Sequence, residues 1–302
     1  MRSLLFTVLL GASFFSYGQS GIPADTNKTD AGGNKTGFWL EPNGLNKSHG
    51  WYVNGKKEGN WVSYHTGGTI SSVDSYTLGK KTGLSIGVDV HGKVVREEYY
   101  TNDTLDGVCK LYYDNMRLKS EIWYKKGKYH GTVKLCYMDG TMQEYSFYKG
   151  GKKDGVSKWY YSTGQVLTEY NYKNGVLVGL QKNFYKSGKT QSEVNAVNND
   201  FEGLYKEFYE TGELKFSINY VKGKKQGPMK ETSPDGKIVL KTCTYKDNFV
   251  HGSYKEFYEN GKPKFVGKYI NGQRDGEWKE YAEDGKVTKS LYKLDGKVEK
   301  GK

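Results

Sequence analysis

Residues Gly203–Gln226 read GLYKEFYETGELKFSINYVKGKKQ, and the chain then returns to glycine at Gly227. The same glycine recurs at Gly59, Gly83, Gly107, Gly131, Gly155, Gly179, Gly203, Gly227, Gly252 and Gly276, with eight of the nine intervals 24 residues long and one of 25. A period of this length marks a repeat array rather than one or two globules. With the glycine counted as place zero, the unit reads G-x-(aromatic)-K-x-(F/Y)-Y-x-(N/T/D)-G-K-(L/V), then a variable stretch, then Y-x-N-G-K.

Each unit carries two turn signals. One falls at places eight and nine, as in Asn260-Gly261 and Asp284-Gly285; the other lies near place twenty, as in Asn174-Gly175 and Asn271-Gly272. Such dipeptides supply the positive φ values of a two-residue hairpin turn. The unit is therefore predicted to be two antiparallel strands. The array becomes an all-β, elongated, single-layer antiparallel meander of tandem 24-residue hairpins, with roughly 22 strands and a length on the order of 100 Å. A turn at places eight and nine sets Tyr209 opposite Leu214, Tyr205 opposite Ile218 and Gly203 opposite Tyr220. Tyrosine recurs at place seventeen, at Tyr76, Tyr100, Tyr124, Tyr148, Tyr172, Tyr220 and Tyr269. The expectation is that the bare glycine backbone is covered by that facing phenol, so that a side chain there would collide with it.

Composition agrees with a thin β core. Hydrophobic residues make up 35% and glycines number 40 against 5 prolines, at a mean hydropathy of −0.79. Disordered chains of such polarity are poor in aromatics, whereas here aromatics reach 15% with 27 tyrosines. These residues suit half-buried pleated surfaces.

The opening MRSLLFTVLLGASFFSYGQS, with Arg2 and an apolar stretch from Leu4 to Phe15, reads as a secretory signal. The expected organisation is a signal peptide at 1–18, a flexible segment at 19–36 and an array of about eleven units at 37–302. The array opens with GFWLEPNG (37–44) and closes with LYKLDGKVEKGK, both degenerate. The expected location is exported: periplasm, outer membrane surface or extracellular. Without Arg2 the chain keeps 45 Lys+Arg against 34 Asp+Glu, a net +11. For an exported chain this charge points to anionic lipid, acidic glycan or an acidic protein, and away from nucleic acid. Cys109, Cys136 and Cys243 do not form a disulfide framework. Cys109 at place two and Cys136 at place five fall on opposite faces of the sheet and are expected not to bond.

The stretches GEWKEYAEDGKVTKSLYKLDGK from Gly276, GSYKEFYENGK from Gly252 and GLYKEFYETGE from Gly203 resemble MORN repeats. They are most similar to the bacterial variant found in YwqK-family antitoxins. The resemblance covers Gly37 to the C-terminus and implies an elongated hairpin array that serves as a scaffold or binding surface, or as an immunity protein. Three departures interrupt it: Met116 replaces the second glycine, the Gly227 unit (GPMKETSPDG) lacks its aromatics, and Ala196 replaces the late tyrosine.

Lysine occupies place three at Lys110, Lys134, Lys158, Lys182, Lys206, Lys230, Lys255 and Lys279, beside place-five aromatics such as Tyr160, Phe184, Phe208 and Phe257. Two readings follow. One is a partner- or anion-binding face built from Lys158, Tyr160, Lys182, Phe184, Lys206, Phe208, Lys230, Lys255, Phe257 and Lys279. The other is a solvated face in which Lys110, Lys158 and Lys182 pair across strands with Glu121, Glu169 and Glu193, each contact worth roughly 0.2–1 kcal/mol. On that reading the partner is missing from Lys206 onward, and Glu207, Glu231, Glu256 and Glu280 dilute the charge. The five histidines, His49, His65, His91, His130 and His251, lack ligand spacing. NFYKSGKT places Asn183 where a phosphate-binding loop needs its first glycine. The expected function is non-enzymatic, with no catalytic, metal or cofactor site. A protein partner is favoured, and anionic lipid or glycan is the alternative.

Overall fold

In a computed structural model of the chain, residues 23–44, 46–293 and 298–300 are described. The expected signal peptide lies outside them. The described residues form 27 strands and no helix. Consecutive strands pair antiparallel, as Asp200–Phe208 does with Leu214–Val221, and that strand with Lys224–Thr232. Two strands per unit account for most of the number. The surplus arises where the residue before the anchor interrupts a strand, as between Lys152–Lys153 and Gly155–Tyr160, and from the flanking strands Lys28–Thr29 and Val298–Lys300. Lys28–Thr29 pairs with Thr36 and Lys35, so the segment expected to be flexible is built into the sheet from there.

The late turn forms as the sequence suggests. Lys222 and Gly223 have φ of 50° and 72° between the paired Val221 and Lys224, and Asn174 and Gly175 have 51° and 84°. Both central residues are left-handed, the geometry that matches strand twist in a two-residue hairpin.

The early turn differs from expectation. Gly212 N–H donates to the Tyr209 carbonyl at 2.9 Å, and Tyr209 N–H donates to the Glu213 carbonyl at 2.8 Å. The loop is thus three residues, Glu210-Thr211-Gly212, closed by a glycine at φ 103°. This type I turn with a glycine bulge pairs Leu214 with Phe208 rather than Tyr209. Further in, the expected register holds: Tyr205 faces Ile218 and Gly203 faces Tyr220.

The expected reason for the anchor glycine does not hold. A Cβ on Gly203 would meet nothing within 4 Å, so no phenol excludes it. What excludes it is the backbone. Towards the preceding hairpin the register jumps from Glu193–Lys206 to Asn195–Glu202, leaving Gly203, Leu204 and Tyr205 opposite Val194 alone. That bulge holds Gly203 at φ +81°, and all ten anchors have positive φ. At Gly107, Gly131 and Gly155 a Cβ would also crowd the place-sixteen side chain of the preceding unit, never the facing place-seventeen tyrosine, and the tightest ring cover of glycine lies outside the anchors. Cβ atoms on Gly50 and Gly267 would stand 2.5 and 2.3 Å from the rings of the buried Trp61 and Trp278. The indoles are held there by Nε1–H donation to the carbonyls of Trp51 and Lys268.

Strand alternation divides the side chains between two faces. The packed face carries places two, four, thirteen, fifteen and seventeen, plus the residue two before each anchor. The place-seventeen tyrosines form a column, and that extra residue inserts between neighbours. In some units it is a ring, as with Tyr129 edge-on to Tyr124 and Tyr148. In others it is a cation. Lys153 Nζ lies 4.0 Å from the Trp159 ring centroid and 5.5 Å from that of Tyr172, and the Arg274 guanidinium lies 4.2 Å from that of Trp278. Partly desolvated contacts of this kind contribute roughly 0.5–2 kcal/mol. Carboxylates balance the buried charge, with Glu144 3.0 Å from Lys153 and Asp74 2.8 Å from Lys81. Around the Gly227 unit, Ile218, Met229 and Cys243 are buried beneath Tyr205, Phe216, Tyr220, Tyr245 and Tyr254. Where Ala196 replaces the column tyrosine, Phe201 pairs beside it and meets Tyr220 at 5.6 Å. All three thiols are free and buried, as expected.

Candidate binding face

The described residues form one sheet with no second layer, and the opposite face carries the other parity. Places three and fourteen of successive units line up across it as one unbroken row. From Lys110 it runs Glu121, Lys134, Tyr145, Lys158, Glu169, Lys182, Glu193 and Lys206. It continues through Ser217, Lys230, Thr242, Lys255, Val266 and Lys279. Each glutamate therefore sits between two lysines, one from its own unit and one from the next. That geometry corrects the expected pairing. Glu169 takes Lys158 at 2.9 Å as anticipated, but Glu121 takes Lys134 at 2.8 Å and Glu193 takes Lys206 at 3.0 Å. Lys206 is thus paired, whereas Lys110 and Lys182 have no ion-pair partner among the described residues. The hydrogen bond to Glu169 holds the Lys158 ammonium above its ordinary pKa, and Glu121 does the same for Lys134.

Glu207, Glu231 and Glu256 do not dilute this row. They occupy place four on the packed face, where they pair with Lys215, Lys241 and Lys264; Glu280 shares their parity. Lys279 reaches Glu277 at 3.3 Å, while Lys230 and Lys255 are exposed and make no ion pair among the described residues.

Tyr160, Phe184, Phe208 and Phe257 are half-buried on the neighbouring row. Three of them also accept a structural bond that the sequence reading missed. The place-six hydroxyls of Tyr137, Tyr161 and Tyr185 donate to the carbonyls of Tyr160, Phe184 and Phe208 one unit on, at 3.1, 2.9 and 2.7 Å. Tyr113, Tyr209 and Tyr258 repeat the contact with Cys136, Thr232 and Tyr281. Ser233 replaces the tyrosine that would have reached Phe257.

Three exposed rings line up on a different column. Tyr99, Trp123 and Phe147 at place sixteen are 39%, 45% and 38% exposed. Their Cβ atoms lie closest to the spots where Gly107, Gly131 and Gly155 lack one, at 2.8, 3.2 and 3.4 Å. Successive rings are two strands apart, about 9.6 Å. The signal is present in the sequence as aromatic pairs, Tyr99-Tyr100, Trp123-Tyr124 and Phe147-Tyr148, where the variable stretch meets the late tyrosine. In the next three units the column turns polar, with Asn171, Asn195 and Asn219. Among the described residues no group of three His, Cys, Asp or Glu side chains could hold a metal ion.

Five stretches of the chain, residues 153–174, 177–198, 201–222, 250–271 and 274–293, match the family model described as MORN repeat variant. These five stretches are similar to MORN-variant repeats. In each MORN stretch the matched residues run from just before the anchor glycine, through both strands, to the late turn. The Gly227 unit is not among them. No curated protein matches the chain. Among solved structures, a chain of the Photorhabdus luminescens Tc holotoxin pore matches at 11% identity over 91% of this chain and 17% of its own length, with a TM-score of 0.19. At that score the likeness carries no argument about fold or function.

Proposed function

We propose that the chain is a non-enzymatic, exported binding protein whose uncovered sheet face docks a protein partner. The observation that carries this reading is the line of Tyr99, Trp123 and Phe147, solvent-exposed at one-unit intervals beside Lys110, Lys134 and Lys158. Aromatic rings clustered at the centre of a patch with charge at its edge are the composition of interface cores. MORN repeats are in general interaction modules, which agrees with this use of the face. The partner surface would offer an apolar ridge flanked by carboxylates. A scaffold role in the cell envelope, and an immunity role like that of the YwqK-family antitoxins, are both forms of such docking.

Capture from envelope extracts with the wild-type chain and with Tyr99→Ala/Trp123→Ala/Phe147→Ala tests the proposal. A protein retained by the wild type and lost by the triple variant supports it. No reproducible partner at low or high salt, or one the variant keeps, removes it.

A further inference from the structure

The row of lysines changes character at residue 217. Up to Lys206 its lysines alternate with Glu121, Tyr145, Glu169 and Glu193. Beyond it, Ser217 and Thr242 stand where glutamate stood, each directly between two lysines in the register. At that point the open face is hollowed into a groove of about 340 Å³. Its floor and walls include Ser217, Pro228, Lys230, Thr242, Thr244 and Ser253. The Gly227 unit pairs Pro228 at place one with Thr244 in the column that holds Trp123 and Phe147 further back, so no ring fills the hollow. No carboxylate lines it. Lys255, paired with Thr242 in the register, stands beside it.

We propose that this groove is a binding subsite for a tetrahedral oxyanion, a phosphate or sulfate group, held between Lys230 and Lys255 with the four hydroxyls as further donors. The donor set argues for that class. Ammonium groups act as point charges with rotatable donors, and hydroxyls turn to suit, which fits a tetrahedral anion. A planar carboxylate is better matched by the fork of arginine, and no arginine lines the groove. The array repeats its lysine in every unit from Lys110 onward but forms this combination of unpaired lysines, hydroxyls and hollow around one unit, so the subsite is single. It lies apart from the aromatic row, and either can fail without the other.

The test uses the full chain and inorganic phosphate, followed by amide NMR. Saturable shifts centred on Ser217, Lys230, Thr242 and Ser253 are expected. Lys230→Ser/Lys255→Ser should bind phosphate at least about tenfold more weakly, the loss of one charge-assisted hydrogen bond or more. Lys110→Ser/Lys182→Ser, which removes two other unpaired lysines of the same row, should bind as the wild type does. All four lysines lack ion-pair partners among the described residues, and the same spectra report whether each variant keeps the fold. Sedimentation with phosphatidylcholine vesicles, with and without phosphatidic acid, then separates the sources. Phosphate binding together with binding only to vesicles containing phosphatidic acid assigns the groove to a lipid headgroup. Phosphate binding without vesicle binding assigns it to a soluble phosphorylated ligand. Shifts spread evenly along Lys110, Lys158 and Lys182, no saturable shift at all, or unchanged affinity in Lys230→Ser/Lys255→Ser overturns the proposal.

Discussion

The hydroxyl of Tyr209 donates to the carbonyl of Thr232, 2.8 Å away and 23 residues further along the chain. It is one of six such ties that bind an early turn to the hairpin after it, at the sheet edge where main-chain pairing has already ended. A neutral hydrogen bond of this kind contributes about 1 kcal/mol net. Tyr185→Phe and Tyr209→Phe should each lower unfolding free energy by that amount in urea titrations. An unchanged midpoint in both variants would mean that the ties are incidental.

Met116 occupies the loop place that glycine holds elsewhere, at φ 64°, with its N–H donated to Tyr113 at 2.8 Å. Left-handed backbone costs a side-chain-bearing residue about 1–2 kcal/mol, partly offset by the greater freedom of glycine in the unfolded chain. Met116→Gly is therefore expected to raise stability by about 0.5–1 kcal/mol. Loss of stability would show that Met116 packs in a way its exposure conceals.

Two glycines separate strain from crowding. Gly267→Ala drives a methyl into the Trp278 indole, an overpacking cost of about 1–3 kcal/mol that Trp278→Ala should largely abolish. Gly203→Ala meets no atom and is strained by its φ alone, so Tyr220→Ala should not relieve it. Double-mutant cycles read the difference: strong coupling for the first pair and near-additivity for the second. Strong coupling between 203 and 220 would restore the ring-collision account.

Burial pushes the Asp74 carboxyl up, but donation from Lys81, Ser85 and Ser72 outweighs it and holds the pKa below the ordinary carboxylate value. A folded-state pKa below the unfolded one contributes stability that is complete above the unfolded value, about 3.9, and is lost as pH falls through the folded value. Stability should therefore drop on acidification, and Asp74→Asn should show a shallower drop than the wild type over the same range. Parallel acid profiles would exclude Asp74 as a contributor.

Periodicity carried most of this architecture. The anchors, the turn dipeptides and the pairing of Gly203 with Tyr220 were legible because each is a spacing. Causes were less legible. A glycine opposite a tyrosine is compatible with collision and with a bulge, and only the two-sided register around Val194 separates them. Ion pairs escaped for a related reason: a glutamate between Lys182 and Lys206 has two equal suitors in sequence, and side-chain geometry selects one. The exposed rings of Trp123 and Phe147 were not legible because each precedes a tyrosine that carries the period, while their own place is polar in other units.

A ribbon of identical hairpins has a phase problem: a bound molecule could slip by one unit and find the same footing. Replacement of glutamate by Ser217 and Thr242 breaks that degeneracy, because a slip across Lys206 exchanges a compensated neighbourhood for a cationic one. The sheet thus has a marked origin along its length, and whatever lies on it can be read in one frame.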